Sequence, residues 1–198
     1  PSYNKRVEPN FEMYWENEIP KISNSLNGNK NVQVEIITGD YLDFSSPIAP
    51  KNSWANNKNN DVAVWIIRLD RNGNFAIPNT KSGAKRNLYV LKGSNMEIDG
   101  QSISGGSMVT LDSSKNTVIK NLGSKTKILM LQGVPINEPV VKYGPFVMNT
   151  RSEIEQAFYD YNRTEFGGWK WGNSDPVHGT QKEKFAKLIS GKIIKPSK

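Results

Sequence analysis

Few side chains in this sequence can do nucleophilic, redox or metal chemistry. Among 198 residues there is one histidine, His178, and no cysteine. Without a thiol there can be no disulfide, no thiolate nucleophile and no Cys-ligated zinc or iron–sulfur centre. With one imidazole, a site of two or three His ligands cannot be built from a single chain, and a Ser-His-Asp triad would have to run through His178. That residue lies in Asp175-Pro176-Val177-His178-Gly179, a loop by composition. An imidazole in such a loop is ordinarily solvated, so neither a ligand nor a catalytic role is expected of it. Glu138 is the remaining group to weigh. A lone carboxylate without His partners reads better as an acceptor for backbone amides, or as one half of an ion pair, than as a general base or metal ligand.

Charge narrows the partners. The formal net charge is +7, from 26 Lys and Arg against 19 Asp and Glu. Part of the excess is local: Lys182, Lys184, Lys187, Lys192, Lys195 and Lys198 face only Glu183 in the last stretch. A basic chain can attract nucleic acid, but no arginine pattern interleaved with aromatics supports base readout. A solvated terminal helix and tail is the expected use of these lysines. No run reaches the ~18 apolar residues of a membrane span, and no membrane partner is expected. The chain opens on Pro1 with a polar stretch unlike a signal peptide. It reads as the middle of a longer protein, and a cytoplasmic location is the expectation.

The elements that must position these residues are mostly strands. Val32, Val34 and Ile36 alternate with Gln33 and Glu35, the period-two pattern of a half-buried strand. Residues 62–69 are apolar on both faces and predict a strand covered on both sides. Asn72-Gly73 and Asp99-Gly100 are hairpin signals. Leu88–Leu91, Asn95–Ile98, Gln101–Ile103, Ser107–Leu111, Thr117–Ile119 and Thr126–Leu131 follow at roughly ten-residue spacing, which predicts an antiparallel sandwich or barrel. Trp65, Tyr89 and Met108 fall on these strands. They would fill the core, or line a cavity for a small apolar ligand. From residue 150 the period changes. Thr150-Arg151-Ser152-Glu153 is a capping box, and Ile154, Ala157, Phe158 and Tyr161 share one helical face. A helix over 151–163 is predicted, stopped at Gly167-Gly168. A second short helix is expected over Lys182–Ile189.

The stretch Leu131–Gly168, LQGVPINEPVVKYGPFVMNTRSEIEQAFYDYNRTEFGG, is the most specific in the chain. With Gly133, Pro135, Glu138-Pro139, Gly144-Pro145-Phe146-Val147-Met148-Asn149-Thr150, Glu153, Ala157, Tyr161 and Phe166-Gly167 at these offsets, it strongly resembles the end of the C-terminal domain of pirin-family proteins. The likeness extends upstream more weakly, through Leu88–Gly93, Ile98, Gly100, Ile103 and Gly106, and through Lys5–Phe11. The resemblance implies an all-β, cupin-type jelly-roll barrel or sandwich with a C-terminal α-helix. It implies a connector arm over 1–30, a barrel over 31–150, and a helix with a basic tail over 151–198.

Pirins are bicupins, linked to quercetin dioxygenase activity and, in eukaryotes, to nuclear transcriptional regulation. Their iron sits in the N-terminal barrel, on three His and one Glu. This sequence has no His-x-His, so none of those ligands carries over to it, and no cofactor is expected in this chain. The resemblance implies a metal-free C-terminal cupin that packs against, and buttresses, a metal-binding N-terminal cupin, and that is not catalytic alone. Two further readings stand beside it: half of a metal-dependent quercetin 2,3-dioxygenase, and an interaction or regulatory module that self-associates through apolar surface. Within the signature, Gly144, Pro139 and Pro145 shape the backbone, and Thr150 with Glu153 starts the helix. Glu138, Tyr143, Phe146, Met148 and Asn149 complete the set of residues expected to build a domain interface, a theme that Phe166, Trp169 and Trp171 continue.

Overall fold

A computed structural model describes residues 1–8, 11–23, 31–80, 83–168, 183–187 and 191–196. His178, Trp169 and Trp171 lie outside the described residues, as does part of the expected second helix. The chain packs as two compact units, one built on Glu8–Pro135 and one on Pro1–Val7 with Ile136–Lys195. These breaks differ from those read at 30 and 150. Lys21–Ser23 pairs as a strand inside the first unit, and residues 141–148 form a hairpin that packs on the helix following it.

The first unit carries β1 (Lys21–Ser23), β2 (Val32–Thr38), β3 (Asp40–Tyr41), β4 (Phe44–Ser45), β5 (Ala63–Leu69), β6 (Asn74–Ile77), β7 (Lys85–Lys92), β8 (Met96–Ile98), β9 (Gln101–Ile103), β10 (Met108–Leu111), β11 (Thr117–Asn121) and β12 (Thr126–Gly133). A six-stranded sheet runs β1-β2-β5-β12-β7-β10, and a four-stranded sheet runs β6-β11-β8-β9. Every pairing in both is antiparallel.

Successive side chains on a strand point to opposite faces, so alternating burial marks which face meets the core. On β5, Ala63, Trp65, Ile67 and Leu69 are buried while Val64, Ile66 and Arg68 are only half-buried. Val34 and Ile36 of β2, Leu88 and Val90 of β7, and Ile128 and Met130 of β12 join them from the large sheet. Phe75, Ile77, Met96, Ile98 and Ile119 meet them from the small one. Tyr41 stands edge-on to Trp65 at 5.1 Å between ring centroids.

This parity corrects the cavity reading. Trp65 points inward, but Tyr89 and Met108 lie directly opposite each other in the β7–β10 register on the outer face, and Met108 is 58% exposed. The inward positions of β7 are Arg86, Leu88 and Val90, so Tyr89 has the wrong parity to reach the interior. The three residues do not share a space.

Polar groups close the core. Asn121 is fully buried at one end. Its Nδ2 donates to the carbonyls of Leu69, Asp70 and Ser124, and its Oδ1 accepts from Gly123 N and Thr126 Oγ1. Arg86 is 2% exposed, with its Nε donating to Gln132 Oε1 at 2.6 Å. Burial pushes its guanidinium pKa down, and Asp61 partly opposes that.

The two turn signals behave differently. Asp99 and Gly100, at φ 49° and 80°, join β8 to β9 as a hairpin. Asn72, at φ 63°, also turns the chain, but β5 and β6 do not pair. The hydrogen bonds of β6 go to β11, so this turn carries the chain from one sheet to the other.

The second unit holds β13 (Val141–Tyr143), β14 (Phe146–Met148) and α1 (Arg151–Thr164). Beyond it, β15 (Ala186–Lys187) pairs antiparallel with β16 (Ile193–Ile194), and Glu183 holds Lys195 at 2.7 Å. Among the described residues of 182–189 there is therefore a strand pair where a helix was expected. The apolar spacing of Phe185, Leu188 and Ile189 is too short to specify a period, and two β-branched residues at 193–194 supply a strand partner.

Candidate functional site

The signature residues assemble in the second unit. Tyr143 and Phe146 end the two strands of a tight hairpin whose loop is Gly144-Pro145. Gly144 adopts φ 55°, a conformation that favours a residue without Cβ, and an added Cβ would sit 3.4 Å from Phe158 Cζ. Proline fixes φ near −65° at the next position, which matches the second residue of a type II′ turn. The hairpin is thus specified by two adjacent residues.

It presents its aromatics to α1. Phe146 meets Phe158 edge-on at 4.9 Å, Tyr161 at 6.2 Å and Phe166 at 6.1 Å. Tyr143 meets Phe158 at 5.6 Å. Edge-to-face pairs of this kind contribute about 0.5–1.5 kcal/mol each beyond burial. Ile154 and Ala157 are the buried residues of the helix.

The start of α1 is fixed by reciprocal hydrogen bonds. Glu153 N donates to Thr150 Oγ1 at 3.3 Å, while Thr150 N and Asn149 N donate to Glu153 Oε2 at 2.8 and 3.0 Å. The Thr150 hydroxyl and amide, with the Asn149 amide, hold the Glu153 carboxyl below the ordinary glutamate range. The helix ends at Thr164, one residue beyond the predicted range, with Glu165 as its cap in the left-handed region.

Glu138 is a second hub. Its Oε2 accepts from Ser2 N at 2.7 Å and from Asn149 Nδ2 at 2.9 Å, and its Oε1 accepts from Ser2 Oγ at 3.3 Å. Asn149 Nδ2 also donates to Pro139 O at 2.9 Å, and Lys5 Nζ to Val147 O at 3.3 Å. Burial pushes the Glu138 carboxyl up, but the hydrogen bonds from Ser2 and Asn149 outweigh it and leave it below the ordinary range. The carboxylate ties the first residues of the chain to residues 138–149. No sequence signal announces Ser2, because its partner stands 136 residues away.

Around these tied positions the unit leaves apolar side chains outward. Val140 is 70% exposed, Tyr143 68% and Phe166 63%. Glu138, Asn149, Thr150 and Glu153 therefore fix the local structure, and Tyr143, Val140 and Phe166 offer surface. Phe146 is the ring about which the aromatics gather, and Met148 pairs with Val141 across the hairpin.

The described residues do not form a site for iron. Among the described residues no group of three His, Cys, Asp or Glu side chains stands where it could hold a metal ion. The interior of the first unit is lined by Ile36, Ile67, Leu88, Ile119, Ile128 and Met130, which offer no hard donor.

Comparison with known proteins agrees with this geometry. The family described as the pirin C-terminal cupin domain matches residues 64–167. The chain belongs to the pirin family. Human pirin is 27% identical over 170 residues, covering 84% of this chain and 54% of pirin. A Vibrio cholerae protein whose name assigns it provisionally to quercetin 2,3-dioxygenase is 34% identical over 139 residues, covering 70% of this chain and 43% of its own. The crystal structure of quercetin 2,3-dioxygenase from Acinetobacter baumannii superposes with a TM-score of 0.70 at 26% identity, covering 85% of this chain and 54% of that one. The fold is therefore the cupin fold, with its α-helix following β14. This pirin-family chain spans about half the length of the curated relatives it matches. No helix among the described residues is long and apolar enough to cross a membrane.

Proposed function

We propose that this chain acts as a metal-free C-terminal pirin cupin, which packs against a metal-binding N-terminal cupin and supports its site without being catalytic alone. The observation that carries the reading is the composition of the barrel interior: the described core is built from aliphatic side chains with Tyr41, Trp65 and Phe75, where a metal-binding cupin needs imidazole and carboxylate donors. The half-length coverage of the relatives supports a second barrel as the partner. The outward Val140, Tyr143 and Phe166 supply apolar surface of the kind that marks association sites.

The test has two parts. The purified chain, loaded with ferrous iron and given quercetin in air, is expected to leave the flavonol unconsumed; turnover above the free-iron control overturns the non-catalytic reading. In native mass spectrometry the chain is then mixed with a separately expressed N-terminal half of the Acinetobacter baumannii enzyme. A one-to-one complex that Tyr143→Ser and Phe166→Ser dissociate supports the packing role. A chain that ignores the half and forms a dimer sensitive to the same substitutions supports the self-association module instead, because the same exposed aromatics then serve a second copy.

A further inference from the structure

We propose that the outer face of the six-stranded sheet carries a site for a small dianionic ligand, bearing a phosphate-type group or a pair of carboxylates, centred on Lys92 and Lys127. In the register of that sheet Gln33 lies opposite Arg68, Arg68 opposite Lys127, and Lys127 opposite Lys92. Three cations thus stand side by side on three neighbouring strands. Like charges directly across a sheet are destabilising, so nothing in the folding of the sheet itself favours the arrangement.

The third cation is there because of a backbone irregularity. The β7–β12 register slips between Lys127 and Ile128: Ile128 pairs with Val90, but Lys127 pairs with Lys92 rather than with Leu91. The extra residue turns Lys92 onto the row that Leu91 would otherwise occupy. Bulges that re-aim a side chain in this way recur beside binding sites. Gly93 makes the bulge possible: its φ is 142°, and an added Cβ would stand 2.6 Å from Thr126 Oγ1.

The row borders a cleft of about 470 Å³, lined among others by Arg68, Asp70, Lys92, Lys125 and Lys127. That volume lies in the range of small-molecule sites. The charges in it are unequally matched. Arg68 Nη1 lies 2.6 Å from Glu35 Oε1, and Lys125 Nζ 3.7 Å from Asp70 Oδ1. Lys92 and Lys127 have no carboxylate within ion-pair distance among the described residues, so two adjacent positive charges lack a counterpart. The floor is rigid, because Asn121 ties the ends of β5 and β12 together through the Leu69, Asp70 and Ser124 carbonyls and Thr126 Oγ1. Adjacent cations on a tied backbone, bordering a concave site with surplus positive charge, suit recognition of a compact anion.

Titration calorimetry on the full chain tests this, with inorganic pyrophosphate and succinate as separate probes and sodium chloride at matched ionic strength as the control. Saturable binding of one pyrophosphate per chain assigns the site to phosphate-type ligands, and saturable binding of succinate in its place assigns it to dicarboxylates. Lys92→Gln and Lys127→Gln are each expected to weaken binding at least fivefold, while Lys115→Gln, on an exposed turn, leaves it unchanged. Without ligand, Lys127→Gln is expected to raise the melting temperature, because it removes a like-charge neighbour. The proposal is overturned if neither anion binds beyond the chloride control, or if Lys115→Gln weakens binding as much as Lys127→Gln.

Discussion

The unit of sheets and the unit of hairpin and helix hold together by different means. In the first, strand after strand contributes every second side chain to one apolar core, and few polar groups, such as Asn121 and Arg86, are buried beside it. In the second, Ile154 and Ala157 are the only buried apolar residues among those described. Order comes from directional contacts: a capping box, two carboxylate hubs and edge-on aromatic rings. Non-directional burial scales with area, and a donor placed inside it costs free energy unless it is paired. Directional contacts work with little core and leave apolar surface free. The difference teaches that one unit is held by its own core, while the other is held by directional contacts and leaves Val140, Tyr143 and Phe166 outward.

Substitutions can break or sharpen that contrast. The largest effect is expected from Trp65→Ala, which empties the centre of the sheet core and should cost about 3–5 kcal/mol in urea unfolding. A loss below about 1 kcal/mol would sink the claim that this unit is held by packing. Asn121→Ala comes next. It removes five hydrogen bonds at the barrel end and leaves buried carbonyls unpaired, for an expected loss of about 2–3 kcal/mol in the same assay. Thr150→Ala should cost about 1 kcal/mol, read as faster amide exchange over the first turn of α1 with exchange in β5 and β12 unaltered. If β5 exchange accelerates equally, the two units are one cooperative structure and the contrast fails.

The smallest effect is the pH response. The folded carboxyls of Glu138 and Glu153 titrate below their ordinary value, so the unfolded chain binds protons first, and their contribution rises with pH. It is fully present above the usual glutamate value of about 4.3 and is lost as pH falls below it. Exchange protection at Asn149, Thr150 and Glu153 should decline in that acid window while that of Ile128 holds. Equal decline at Ile128 would count against the contrast.

Much of this was legible in the residues. The alternation in Val32–Ile36, the doubly apolar run at 62–69 and the Asp99-Gly100 turn report local geometry, and local geometry survives in the fold. The same holds for the capping box at Thr150 and Glu153. Other features depend on partners distant in sequence. Asn72-Gly73 has the chemistry of a hairpin, yet which strand β6 joins is set by β11. Tyr89 and Met108 are apolar strand residues, yet only the register says that they face outward. Glu138 is legible as an acceptor for backbone amides, but nothing local says that its donor is Ser2, 136 positions away.

The sequence by itself determined that this chain has no thiol chemistry and no multi-histidine site, because an absent side chain cannot be supplied by folding. It also determined the strands, the cap and the family signature, since these follow from short-range sterics and hydrogen bonding. The tertiary structure alone decided which face of each strand is core, how Glu138 reaches Ser2, and that a bulge sets Lys92 beside Lys127 and Arg68. A sheet brings together residues from strands far apart in the chain, and a shift of one position in register sends a side chain to the opposite face.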